Sequence, residues 1–226
     1  MAHHVFHRAN FLDESGASVP SFLTHAFEYA GLSGAVSDPV ASWVCSITGD
    51  SATQATGANQ PAKTADSALF TSNDFLNMPA SVRTSLASAG AIFIHFGSYT
   101  YGGGKIIFDA RNGTAAFQMS MNTTWRLFLR NTIANSVTLN AGLATDDSPC
   151  VVYARYSVGG VGATGEDASE STGAAPGGTY GFTAAYLGAT AGGGSGMTGN
   201  IKAVYVTDVN PSPAQIAELL AYVGTP

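Results

Sequence analysis

The stretch that decides the fold is IKAVYVT at residues 201–207, which continues as DVNPSPAQIAELLAYVG to residue 224. Apolar and polar residues alternate in its first half, which is the pattern of a half-buried β-strand. Ser212 then precedes Pro213, and Gln215 stands three residues after Ser212, which is the signature of a capped helix start. The apolar face of this helix consists of Ile216, Leu219, Leu220 and Val223. The sequence therefore predicts one strand and one packed, amphipathic helix at this end of the chain.

The preceding sequence consists of short strand patterns separated by glycine-rich loops. Residues 91–96 form a nearly continuous apolar run, which predicts a central strand, and Asn112-Gly113 predicts a hairpin. Alternation is clear in residues 117–121 and recurs in residues 126–130. We count about nine to eleven strands and no alternating βαβ unit. These patterns predict an all-β fold, a two-sheet antiparallel jelly-roll sandwich with short peripheral helices.

Two early interpretations set the domain boundary. Residues 20–29 fit a short helix that includes His25, with Phe22, Ala26 and Tyr29 on one side. Residues 1–40 are otherwise irregular, so we interpret them as an N-terminal arm for attachment or oligomerisation. The jelly-roll domain is then expected at residues 41–226. Within it, residues 157–178 are interpreted as a long loop rich in Gly, Ala and Ser.

The composition excludes several classes of protein. Only 11% of the residues are charged, and the formal net charge is −6. The nine Lys and Arg residues are scattered, so nucleic acid is not an expected partner. No apolar run is long enough to cross a membrane, and the first residues lack the pattern of a secretory signal. Cys45 and Cys150 allow one disulfide, but we expect two buried thiols.

Four landmarks, in this order, resemble the concanavalin A-like lectin/glucanase superfamily, in particular its laminin G-like branch. They are Trp43 before Gly49-Asp50-Ser51; residues 68–70 followed by residues 74–79; residues 91–96 followed by a glycine hairpin; and Tyr186-Leu187-Gly188, with a glycine-rich loop leading into residues 199–206 and 212–216. The resemblance covers residues 40–224. It implies sugar or protein binding, either on loops at one edge or on the concave sheet, and leaves the choice between them open.

Catalytic patterns of that superfamily do not match. Its glucanases carry a Glu-x-Asp-x-x-Glu strand, which places two carboxylates on one sheet face. The nearest segment here contains Glu166, Asp167 and Glu170, with different spacing and in the loop-like region. We interpret it as a solvated acidic loop. His95 lies in the apolar strand, where we expect a packed residue and not a general base. No catalytic residue is therefore predicted.

No metal site and no cofactor are predicted, although calcium is considered. Asp146 and Asp147 are its best candidate ligands, with Asp109 as a partner across the sheet edge. Two adjacent Asp residues are also ordinary turn formers, and we prefer that interpretation.

Sugar binding requires an exposed aromatic ring with polar neighbours, because the ring covers the apolar sugar face while hydrogen bonds fix the hydroxyls. Tyr99 and Tyr101 precede a glycine run, and Asn112 lies on the neighbouring hairpin. These three residues are the predicted carbohydrate site. The alternative is that both tyrosines pack on another subunit or cap the sheet edge.

The first hypothesis is a non-enzymatic module of a virus particle, such as a decoration, spike or fibre-tip domain of a tailed phage. Its expected partners are other virion proteins through the arm, further copies of the chain, and host surface glycans. The expected location is the virion. The alternatives are a cellular carbohydrate-binding lectin domain and, third, a polysaccharide-cleaving enzyme.

Overall fold

The computed structural model describes residues 18–100, 104–121, 124–132, 135–143, 150–157, 159–164, 170–190 and 193–224. These residues form sixteen strands and two α-helices, with a 3-10 helix at Gly57–Asn59. The strands are β1 (His25–Leu32), β2 (Ser42–Cys45), β3 (Ser51–Thr53), β4 (Ala62–Lys63), β5 (Ala68–Phe70), β6 (Leu76–Asn77), β7 (Gly90–Thr100), β8 (Lys105–Arg111), β9 (Ala116–Met121), β10 (Thr124–Thr132), β11 (Asn135–Leu143), β12 (Cys150–Ser157), β13 (Gly160–Thr164), β14 (Glu170–Gly173), β15 (Ala184–Leu187) and β16 (Thr198–Thr207). The helices are α1 (Ala80–Ser85) and α2 (Pro213–Tyr222).

The strands form two antiparallel layers. The strand order is β11-β10-β9-β8-β15-β6-β3-β2-β1-β16-β7-β12-β13-β14, and the short pair β4-β5 joins β16. We call β11 to β3 in this order the front sheet and β1 to β14 the back sheet, with β2 linking them. The arrangement is the predicted antiparallel jelly-roll sandwich, and the prediction of fold class is confirmed.

Aromatic side chains from both sheets meet in the core between the layers. Phe117 of β9 lies 5.2 Å from Tyr156 of β12, measured between ring centroids, and Phe96 of β7 lies 5.6 Å from Trp125 of β10. All four rings are 2% exposed or less. Burial of such rings is the main favourable contribution to the free energy of folding of a sandwich of this kind, because each ring removes a large apolar area from water.

The predicted closing strand and helix are both confirmed. The strand β16 lies in the back sheet between β1 and β7. The side chain of Ser212 accepts a hydrogen bond from the Gln215 backbone N–H, and the Gln215 side chain accepts one from the Ser212 backbone N–H. Leu219 of α2 is buried against the outer face of the back sheet, with Ile216 and Val223 partly buried beside it. The helix therefore seals the fold.

The segment expected to be a helix at residues 20–29 contains no helix, and its second half, from His25, is part of strand β1. β1 pairs with β16, from His25 opposite Val206 to Glu28 opposite Ala203, and also with β2. The sequence spacing fits a helix locally, but the strand satisfies its backbone groups through partners far along the chain. The predicted boundary between residues 40 and 41 is therefore wrong, because β1 belongs to the sandwich. Residues 1–17 of the predicted arm lie outside the described residues.

The segment expected to be a long loop at residues 157–178 is also partly wrong, because it contains β13 and β14. Its composition is poor in the β-branched and aromatic residues that mark strands. Pairing of β13 with β12, and of β14 with β13, supplies the missing stabilisation. Such short strands also explain why the structure has more strands than the alternation pattern predicts.

Two smaller expectations concern the cysteines and membranes. Cys45 and Cys150 are both buried thiols, as expected. In the part of the chain that the structure describes, no helix is long and apolar enough to cross a membrane.

Candidate functional site

The predicted sugar-binding role of Tyr99 is wrong, because its ring belongs to the core. Tyr99 is 2% exposed and contacts Phe96 and Trp125 edge-on, with ring centroids 5.5 Å and 5.2 Å apart. Strict alternation from the buried Phe96 would direct Tyr99 outward. The register of β7 against β16 shifts at Gly97, however, since Ser98 lies opposite Asn200 and Phe96 lies opposite Ile201. This bulge turns Tyr99 inward.

Asn112 is placed where it was predicted, on the hairpin between β8 and β9, but its side chain serves the fold. Its Nδ2 donates to the carbonyl oxygens of Tyr180 at 2.8 Å and Gly181 at 3.0 Å. Its Oδ1 accepts from the backbone N–H groups of Thr114 and Ala115. An amide has two donors and two strong acceptor positions, so this one has no capacity left for a sugar hydroxyl. The interpretation of its amide as a sugar ligand is wrong.

Other candidates lie outside the described residues or have different partners. Tyr101, with Asp146 and Asp147, falls outside the described residues. Asp109 is 0% exposed and forms an ion pair with Arg111, so it is not a calcium ligand at a sheet edge. Within the described residues no group of three or more His, Cys, Asp or Glu side chains is arranged to hold a metal ion.

The two remaining expectations concern an acidic residue and a histidine. Glu170, the described member of the acidic segment, lies on β14 and accepts a hydrogen bond from Arg155 at 2.8 Å. His95 lies within β7, where Val151 of β12 and Ala203 of β16 stand opposite it. It is half-buried, and burial, with a smaller contribution from Lys202, lowers its pKa to about 4.

An open cleft of about 470 Å³ lies on the outer face of the front sheet, beside the Asn112 hairpin. β8, β9, β10 and β15 supply most of its lining. Its long side chains are Arg111, Gln118, Phe128 and Arg130.

The hollow follows from small residues placed between long ones. Ala116 of β9 lies opposite Arg130 of β10 on one side and Arg111 of β8 on the other. Ala184 of β15 lies opposite Arg111 on its far side. Arg111 and Arg130 are therefore two strand spacings apart, which is about 10 Å. The short alanine side chains form the bottom of the cleft, and the longer side chains of the two arginines form its sides.

A buried carboxylate orients Arg111. Asp109 lies two residues earlier on the same face of β8, forms an ion pair with Arg111, and accepts a hydrogen bond from Gln118 Nε2 at 3.3 Å. Burial raises the pKa of the Asp109 carboxyl above its usual value, and the interaction with Arg111 opposes that shift. The ion pair fixes the guanidinium at the edge of the cleft.

Arg130 is held by an aromatic ring instead of a carboxylate. Its guanidinium carbon lies 5.7 Å from the ring centroid of Phe128, which is a cation–π contact. The Nε atoms of Arg111 and Arg130 are buried and have no hydrogen-bond partner among the described residues. Among the described residues, two guanidinium groups line this cleft and one carboxylate, that of Asp109, lies beside it, so the cleft has a local positive charge in an acidic chain.

Sequence reasoning did not assign these residues to a site. The alternation in residues 126–130 does indicate that Phe128 and Arg130 share the polar face of their strand. That signal was available in the sequence. The sequence does not show that β10, β9 and β8 are neighbours in the sheet, and it is this order that brings Arg130 towards Arg111.

Comparisons with known proteins agree on the fold. No family model matches the sequence, and no curated protein matches it. The chain is similar to the CBM40 module of the Ruminococcus gnavus IT-sialidase bound to α2,3-sialyllactose, with a TM-score of 0.52 and 16% identity over 62% of this chain and 86% of that one. It is also similar to the Trypanosoma rangeli sialidase in complex with 2,3-difluorosialic acid, with a TM-score of 0.67 and 13% identity. The latter match covers 96% of this chain but only 36% of the sialidase chain.

These similarities support the jelly-roll sandwich.

Proposed function

We propose that this chain is a carbohydrate-binding module that holds a carboxylate-bearing sugar in the cleft between Arg111 and Arg130. The observation behind this proposal is the pair of guanidinium groups on either side of an alanine floor. Guanidinium groups bind carboxylates through two parallel hydrogen bonds, and such charge-assisted bonds are stronger than neutral ones.

The cleft also has the aromatic surface that sugar recognition needs. Phe128 is half-buried, on the outer face of β10, in the lining of the cleft. An aromatic ring of this kind covers the apolar face of a sugar, while polar groups fix its hydroxyls. Gln118, which already holds Asp109, lines the cleft beside it.

The solved structures supply independent support for an acidic sugar. The bacterial CBM40 module was solved with sialyllactose, and the trypanosomal sialidase with a sialic acid derivative. Both ligands contain a sugar with a carboxylate. The arginine cleft of this chain has the charge that such a ligand requires.

Binding without cleavage is the proposed mode of action. Most glycoside hydrolases need two carboxyl groups on either side of the scissile bond, whereas sialidases use a tyrosine nucleophile, and no tyrosine of the described chain lines this cleft. The one carboxylate beside this cleft in the described chain, that of Asp109, is buried and engaged with Arg111. A cleft with two cations and one engaged carboxylate suits recognition of an anion.

The test is calorimetric titration of the purified protein with α2,3-sialyllactose and with lactose, which lacks the carboxylate. We expect the protein to bind sialyllactose and to bind lactose much more weakly. The Arg130→Ala variant should lose about tenfold or more in affinity, because a hydrogen bond to a charged group contributes about 1.5–3 kcal/mol. Arg126→Ala is the matched control, since Arg126 is exposed on the same face of β10 but outside this cleft.

Equal affinity for sialyllactose and lactose, or an equal loss in both variants, would refute the arginine cleft as the site. A screen of other acidic glycans, such as galacturonides, extends the test to other carboxylate-bearing sugars. Release of reducing ends from any bound glycan would favour the enzymatic alternative over a binding module.

The proposed setting is the surface of a virus particle, where the module contacts host glycans and assembles with other virion proteins and with copies of itself. The sequence features behind this setting are the low charge content and the laminin G-like landmarks. Mass spectrometry of purified particles tests the location, and light scattering of the isolated protein tests self-association. Detection in uninfected cells alone would favour a cellular lectin.

A further inference from the structure

A line of cross-strand neighbours on the outer side of the front sheet continues from the arginine cleft, with the buried Asp109 near its middle. Cross-strand partners link one strand to the next along this line. From β10 to β3 its members are Phe128, Gln118, Asp109, Tyr186, Asn77 and Thr53. Six strands at the usual spacing span about 24 Å, which is longer than a single sugar ring.

The far part of this line lies on the outer surface because its neighbours along each strand face the core. Leu76, Ala185 and Leu187 are 2% exposed or less. Successive side chains of a strand point to opposite faces, so Asn77 and Tyr186 point outward. Asn77 and Thr53 are exposed, and Tyr186 is half-buried.

Tyr186 is an aromatic surface held in place by a neighbouring ring. Phe75, which is 8% exposed, meets it edge-on at a centroid distance of 6.0 Å and an interplanar angle of 74°. Beside it, Asn77 Nδ2 donates to the Thr53 carbonyl oxygen at 3.0 Å, which orients the amide and leaves its Oδ1 available as an acceptor. An oriented ring next to an amide and a hydroxyl is the combination that sugar recognition uses.

This surface adjoins the cleft and differs from it in charge. Tyr186 lies opposite Asp109 and two residues after Ala184, which lines the cleft. Tyr186, Asn77 and Thr53 themselves have no charged group, whereas the cleft has two guanidinium groups. The chemistry therefore changes from anionic to neutral recognition along the line.

We propose that Tyr186, Asn77 and Thr53 form a second subsite, which binds a neutral hexose linked to the acidic sugar in the cleft. The ligand is then an oligosaccharide that lies across the strands of the front sheet. This inference rests on the proposed function, since the acidic sugar anchors the ligand at Arg111 and Arg130. Stacking on Tyr186 and hydrogen bonds to Asn77 add affinity for the neutral residue.

The experiment compares α2,3-sialyllactose with the methyl glycoside of sialic acid, which has no neutral hexose. The wild-type protein should bind sialyllactose about fivefold more tightly, as expected for one aromatic contact and one hydrogen bond together. Tyr186→Ala should reduce this difference to about twofold, the part that Asn77 contributes, and retain its affinity for the methyl glycoside. Tyr29→Ala is the matched control, because Tyr29 is a half-buried tyrosine on β1 that contacts Lys63. It should keep the fivefold difference.

Asn77→Ala provides a second variant. Asn77 is exposed, so this substitution removes no large packed side chain and should leave the fold intact. It should reduce the preference for sialyllactose about twofold, the loss of one hydrogen bond at a wet surface. The subsite is overturned if wild type binds the two ligands equally, or if both variants keep the full difference. Absence of binding to either ligand overturns the arginine cleft itself, and the subsite with it.

Discussion

His95 should make the protein less stable as the pH falls from 7 to 5. The side chain is half-buried on β7, and the charged side chains that affect it are Lys202 on β16 and Asp66 before β5. Burial, with a smaller contribution from Lys202, lowers the pKa of His95 to about 4, and Asp66 opposes the shift. Lys202 and Asp66 also pair with each other, with 3.1 Å between Nζ and Oδ2. The folded protein therefore keeps this imidazole neutral.

The sign and size of the effect follow from proton binding. In the unfolded chain His95 has a pKa of about 6.5, so at pH 5 it is almost fully protonated, whereas in the folded protein it is mostly neutral. The unfolded state binds more protons between these two values, so acid favours unfolding throughout that window. At pH 5 the loss of free energy of unfolding is about 2 kcal/mol, against a total of about 5–15 kcal/mol for a typical domain.

The assay is urea unfolding of the wild type and of His95→Gln at pH 7 and pH 5. Glutamine keeps a polar side chain but does not titrate, so the variant should lose about 2 kcal/mol less on acidification. Burial also lowers the pKa of His25 and raises that of Asp109, but both groups are present in both proteins and cancel in the difference. An equal loss in the two proteins would show that His95 is not kept neutral by the fold.

Three further predictions concern stability. Ser212→Ala removes the capping box of α2 and should lower the free energy of unfolding by about 1 kcal/mol, measured by urea denaturation, with no change in ligand binding. Tyr99→Ala should lower it by about 3–5 kcal/mol, because the ring packs on Trp125 in the core; a drop below 1 kcal/mol would contradict that placement. Asn112→Ala frees the carbonyl of Tyr180 and should lower the thermal midpoint by several degrees, a cost of about 1–2 kcal/mol, whereas an unchanged midpoint would show that its hydrogen bonds are replaced by water.

Local sequence features predicted the parts of the fold that depend on neighbours in the chain. The helix start at Ser212 and Gln215 is set by hydrogen bonds within three residues, so its signature is directly readable. The Asn112-Gly113 hairpin joins β8 and β9 as predicted, because its turn chemistry is also local.

Predictions failed where a partner distant in sequence decides the outcome. Tyr99 turns inward because of a bulge in the pairing of β7 with β16, and the tyrosine's own neighbours do not encode that register. β1 is a strand because β16, at the other end of the chain, lies beside it. β14 exists because β13 pairs with it, although its residues have weak strand preference.

The sequence by itself determined that the chain is a β-sandwich closed by β16 and α2, and that Phe128 and Arg130 share a polar face, because periodicity of side chains is a property of each strand alone. Only the tertiary structure decided which strands are neighbours. That order places Ala116 between Arg111 and Arg130 and sets Tyr186 beside Asp109. A binding surface that crosses strands is assembled from residues far apart in the chain, so no local pattern can encode it.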